Sequence, residues 1–189
     1  GGLVFFMYTR FNENKRTTED YFAAVPYQAA MIYDIKNPKQ FFQAISSTNL
    51  IYDEFKQIGW TKNIDVRLKK LDSLIANDNF FDLRWEKTRL VASLVPTGTD
   101  KHSWLFSVLI PNQVSTKALK KKVNNTFGQG ALKQEEQYDG ANILTYLSKD
   151  KETWFVSFYE NYFLVSDAQM GVEDAIRQIN SNISLKVND

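Results

Sequence analysis

Between "LKQEEQY" and "ANILTYLS" stands Asp139–Gly140, and it commits the second half of the chain to antiparallel pairing. A two-residue connection of this kind needs backbone that only Gly, Asn and Asp adopt readily, and it can join only strands that run in opposite directions. The pattern recurs. "TWFVSFY" and "YFLVSD" flank Glu160–Asn161, and "TRLVASLV" and "SWLFSVLI" flank a Pro-Thr-Gly-Thr-Asp loop. Three hairpins in one chain predict a sheet that is mainly antiparallel.

Helical periods fill the rest. Ser115 caps a predicted helix with Leu119, Val123 and Phe127 at every fourth position, closed by Gly128. Asp167 is expected to cap a last helix, with Val172, Ile176 and Ile179 turned inward. Ile64, Leu68, Leu71 and Ile75 mark a further amphipathic helix, and a shorter one covers Leu50–Ile58. Asn37–Pro38 starts another, with Phe41, Phe42 and Ile45 on its core side. Glu13 to Val25 is helix-compatible up to Pro26, and "QAAMIYDI" then reads as a strand buried on both sides. Ile183, Leu185 and Val187 alternate with polar residues, the start of a strand, so the chain is expected to be a fragment of a longer protein. The order predicts an α+β fold: a mainly antiparallel sheet built from hairpins, helices packed on one face and an N-terminal helical segment.

The 189 residues are enough to bury a real core as a single domain, expected over 13–189. A net charge of +1 excludes the long-range argument for nucleic acid. Without cysteine, disulfide frameworks, thiolate zinc sites and Cys nucleophiles are excluded within this chain. With eight glycines, no phosphate-cradling loop pattern occurs.

Catalytic chemistry finds little material. His102 is the single histidine, in "GTDKHSW", and a Ser/His/Asp arrangement would have to combine it with Asp100 and Ser103. Such neighbours on a loop converge poorly, so a solvated loop histidine is the plainer reading. The carboxylate pairs Asp53–Glu54 and Glu135–Glu136 lack calcium-loop spacing and read as surface charge. Lys120, Lys121 and Lys122 spread around a helix instead of forming one patch. Asn124 and Asn182 each begin an Asn-x-Ser/Thr triplet, frequent by chance in an Asn-rich chain. No catalytic residue, cofactor or metal ligand is therefore assigned. Trp154, Phe158, Tyr159 and Tyr162 are the candidate partner-binding aromatics, against the alternative that they fill a core. A pocket built from Trp60, Trp85 or Trp154 is the corresponding expectation for a small-ligand binder or an enzyme.

The opening run Leu3 to Tyr8 is apolar on every side and precedes Arg10, Lys15 and Arg16. Residues 1–12 read as the end of a membrane anchor leading out of the bilayer, with a first buried strand as the competing reading.

The stretches "FNENKRTTEDYFAAVPYQAAMIYDIKNPKQFFQAI", "LDSLI", "RLVASLVPTG", "WLFSVLIP" and "YFLVSDAQMGVEDAIRQI" add a resemblance. They carry a P-x-x-A step before a strand (Pro26 to Ala29) and an S-x6-E-D-A-I-R-Q segment (Ser166 to Gln178). In this layout the chain resembles the N-terminal part of a family of uncharacterised bacterial envelope proteins with one N-terminal membrane segment. The resemblance implies an extracytoplasmic location and a further domain downstream, and it brings no catalytic residues. The expectation is a non-enzymatic, anchored domain that binds a protein or envelope component. A soluble cytoplasmic protein, and a structural module supporting a missing C-terminal part, are the alternatives.

Overall fold

A computed structural model describes residues 20–38, 40–41, 67, 71, 89–110 and 115–185. The elements fully within these residues are seven strands and two helices, in the order β1 (Met31–Ile35), β2 (Leu90–Gly98), β3 (Lys101–Leu109), α1 (Thr116–Phe127), β4 (Leu132–Tyr138), β5 (Ala141–Leu147), β6 (Thr153–Tyr159), β7 (Tyr162–Ser166) and α2 (Gln169–Ser181). All strands belong to one sheet, ordered β1-β2-β3-β7-β6-β5-β4, and every neighbouring pair is antiparallel. The predicted mainly antiparallel α+β architecture is thus observed. Two meanders, β1–β3 and β4–β7, meet where β3 lies beside β7. The connection through α1 carries the chain from β3 to the far edge, and β4 to β7 then walk back inward.

Turn chemistry explains the registers. Asp139 (φ 45°) and Gly140 (φ 85°) both take positive φ, as the tight hairpin turn requires. Glu160 does the same at φ 51° between β6 and β7. The β2–β3 turn is shorter than the sequence suggested: Pro96 pairs with His102 inside the ladder, and the chain reverses at Thr99–Asp100.

The helices do not share one face. Leu119, Val123 and Phe127 of α1 pack with Leu144, Tyr146, Trp154, Phe106 and Leu71 on one side of the sheet. Val172, Ala175 and Ile176 of α2 pack with Leu105, Ile143 and Leu164 on the other. The cause lies in the central strands. β7 is buried at all five positions, and β2 and β3 each hold six consecutive buried residues, so both faces need a cover. On the α1 side Phe127 stacks on Tyr146 with centroids 4.6 Å apart and lies 6.4 Å from Trp154.

Residues 20–30 form a strap over the α2 side. Ala24 is part of that core cluster, and Val25 is buried beside it in the chain. The Tyr162 hydroxyl donates to the Asp20 carbonyl, Gln28 Nε2 donates to Asp174 (2.7 Å), and the Tyr27 N–H donates to Gln178 Oε1 (3.2 Å). Residues 21–24 are turns, not the end of a helix, and 13–19 lie outside the described residues. β1 is an edge strand: Met31, Tyr33 and Ile35 pack inward while Ile32 and Asp34 are exposed, so it is not buried on both sides as its sequence suggested. Asn37 caps as expected, its Oδ1 accepting from the Gln40 N–H at 3.0 Å. Leu71 is helical and buried, whereas the rest of its predicted stripe, the Leu50–Ile58 helix, Phe42 and Ile45 lie outside the described residues. Ile183–Leu185 is irregular, with no strand there, and Val187 is outside.

Candidate functional site

The serine of the His102 neighbourhood does meet an aspartate, but not the expected one. Ser103 Oγ donates to Asp167 Oδ1 at 2.6 Å, and the Trp104 N–H donates to the same oxygen at 3.0 Å. The one Ser103 proton being used, the Ser166 hydroxyl donates to Ser103 Oγ at 2.9 Å and itself accepts from the Ala168 N–H at 3.2 Å. Arg67 forms an ion pair with Asp167, and burial pushes its pKa below the ordinary value while Glu152 acts the other way. Asp167 is therefore not the cap of α2, whose N-cap is Ala168. His102 is exposed and points to the opposite side of β3 from Ser103. The network is a part-buried clasp joining β3, β7 and the start of α2, in which the group that accepts from the serine, Asp167, is itself held in the ion pair with Arg67.

The four candidate aromatics fall on two faces. Trp154 is buried on the α1 side, its indole N–H without a partner among the described residues, and Phe158 stacks on Phe163 there at 5.1 Å. Tyr159 and Tyr162 face α2. Tyr159 donates to Asn180 (2.7 Å), and Tyr162 is buried beneath the N-terminal strap. The hairpin does not present them as a single open surface. Trp60, Trp85 and Asp53–Glu54 lie outside the described residues. Glu135 and Glu136 point to opposite faces as expected, the first to Lys120 (2.8 Å), the second to Gln169. No group of three or more metal-ligating side chains occurs among the described residues.

Open concavity lies instead along α1, whose lysines the sequence reading took as the charged outer face of an amphipathic helix and not as a binding site. One depression of about 530 Å³ is lined by Ser115, Lys117, Ala118, Lys120, Lys121 and Asn124. A second, of about 560 Å³, is lined by Asn124, Asn125, Gly128, Gln129, Gly130 and Leu132. Asn124 lines both, so the two depressions adjoin along the helix, one at its start and one past its end, and are together termed the α1 groove. The floor is anchored where Tyr146 donates to Asn124 Oδ1 at 2.6 Å. Burial, and secondarily Glu135, push the Tyr146 hydroxyl up to about 12, which keeps it a donor. Gly128 (φ 98°) and Gly130 (φ 76°) let the chain turn away at the groove's end.

The depression at the start of α1 is lysine-lined, and the one past its end is lined by uncharged residues. α1 carries four lysines and no acidic residue, and Lys117 sits in the first turn, where a cation is disfavoured by the helix dipole. The lysines diverge as their spacing predicted: Lys120 goes to Glu135 and Lys122 is buried. Lys117 and Lys121, one turn apart, remain exposed at the groove. The signal in the sequence was this absence of acids from "TKALKKKVNNTF", together with the three amides Asn124, Asn125 and Gln129 near the helix end.

Among the described residues no helix is long and apolar enough to cross a membrane, and residues 1–12 lie outside them. No protein-family model, curated protein or solved structure matches the chain.

Proposed function

We propose that this chain is an extracytoplasmic, membrane-anchored domain that binds a protein or envelope component without transforming it, through the α1 groove. One observation carries the reading: the groove is open and lysine-lined at the start of α1, while Ser103 and Ser166 are buried, Asp167 is paired with Arg67 and the large aromatics are packed. The anchor rests on the apolar run Leu3–Tyr8 and on the resemblance to envelope proteins. A small-ligand site is the second reading, favoured by a 560 Å³ depression that falls within the usual range for ligand pockets.

The test places a photo-crosslinking amino acid at Asn125 in the groove or at Thr99 in the β2–β3 turn, in the protein with its native flanking sequence. The expected result is one defined macromolecular adduct from Asn125 alone, in the membrane fraction. Absence of any adduct from Asn125, or a soluble protein that sediments with no membrane, overturns the corresponding half of the proposal.

A further inference from the structure

Building on the binding function proposed for this groove, we infer that its occupant is an extended acidic segment of a partner protein, with carboxylates at alternate positions paired to Lys117 and Lys121. Charge selects the sign. Of the four lysines of α1, Lys120 is tied to Glu135 and Lys122 is buried, which leaves two exposed ammonium groups lining one depression. Spacing selects the shape. Residues four apart on a helix are displaced by about 6 Å along its axis. Alternate side chains of an extended peptide repeat at about 6.7 Å on one side, whereas adjacent ones point to opposite sides. Two carboxylates at i and i+2 therefore reach both lysines, and two contiguous carboxylates do not.

The amide end of the groove selects a peptide over a phosphate. Asn124, Asn125 and Gln129 each carry a donor and an acceptor, the pair that a peptide group complements. A sulfate or a phosphodiester accepts only and would leave the amide carbonyls unused. Asn124 Oδ1 is already engaged by Tyr146, so its amide nitrogen is the group left to donate. Between the charged positions, Ala118 and the lysine stems offer an apolar wall to the intervening side chains. The length also fits. Twelve helical residues extend about 18 Å, which an extended peptide spans in about five to six residues.

Fluorescence anisotropy with a labelled peptide of alternating Glu and Ser tests this against a peptide of the same composition whose glutamates are contiguous. The intact chain should bind the alternating peptide more tightly, and less so as salt is raised. Lys117→Glu and Lys121→Glu should each weaken it roughly tenfold, as reversal of a paired charge does. Lys101→Gln, at the β2–β3 turn and outside the groove, should change it less than about twofold, because an exposed charge outside the site is largely screened. Circular dichroism on each variant confirms that the fold is kept. Equal binding of the two peptides, binding indifferent to Lys117 and Lys121, or tighter binding of polyphosphate or of vesicles containing anionic lipid overturns the inference. If no peptide binds while the Asn125 adduct forms, the inference fails and the binding function stands; loss of both removes the two together.

Discussion

Gly171 shows how a single position acquires its meaning from another element. Placed in α2, a glycine ordinarily costs about 1 kcal/mol relative to alanine, so Gly→Ala would be expected to stabilise. Here a Cβ would stand 2.6 Å from Ser166 Oγ and 3.3 Å from Ser166 Cβ, inside the clasp that also holds Ser103. Overpacking of this kind costs about 1–3 kcal/mol. Gly171→Ala should therefore lower the urea midpoint, and Ser166→Ala in the same chain should recover part of the loss. A stabilised Gly171→Ala protein would show that α2 does not sit this close to β7. Asp167 teaches the same lesson. Its place before a helical run reads as a cap, but the Ser103 hydroxyl and Trp104 N–H claim it, and leaving buried donors unsatisfied costs more than leaving a helix end to water.

At the scale of elements, two tyrosine hydroxyls tie the covers to the sheet. Tyr146 of β5 holds α1 through Asn124, and Tyr162 of β7 holds the N-terminal strap through the Asp20 carbonyl. Burial raises both to about 12, with Glu135 and Asp20 adding to the respective shifts. The ordinary value is about 10. Since the folded pKa lies above the unfolded one, the stabilisation is complete below pH about 10 and is lost as the pH rises toward about 12. Urea midpoints should be level on the neutral side and fall across that interval, and Tyr146→Phe and Tyr162→Phe should each flatten the fall. An unchanged slope in both variants would assign the alkaline loss elsewhere. The boundaries of α1, Ser115 and Gly128, were legible because helix-end preferences are local, although Ser115 makes no side-chain cap hydrogen bond. The α1 groove was not, since it depends on what Lys120 and Asn124 meet on β4 and β5.

At the scale of the whole molecule, β1 and β4 stand at the two ends of the sheet among the described residues, and they differ. β4 is mostly exposed and carries Lys133, Glu135 and Glu136, charges that discourage strand addition from another chain. Replacing Lys133, Gln134 and Glu136 together by valine should convert this edge into an associating one. Sedimentation should then show self-association that grows with protein concentration, beyond that of the parent chain; unchanged sedimentation would mean that the charges do not guard the edge.

What the amino-acid sequence determined by itself is the set of hairpins, the helix α1 and which side chains share a face of each strand, because turn preference and periodicity act over a few residues. Trp154 and Val156 alternate with Phe155 and Ser157 in the fold as in the text of the chain. Only the tertiary structure decided that β3 lies beside β7, that α1 and α2 cover opposite faces, and that the aromatic hairpin is covered by both. Periodicity states which residues must be buried together. It carries no record of which distant element buries them, because that choice is made by complementary surfaces meeting across more than sixty residues, as Ser103 meets Asp167.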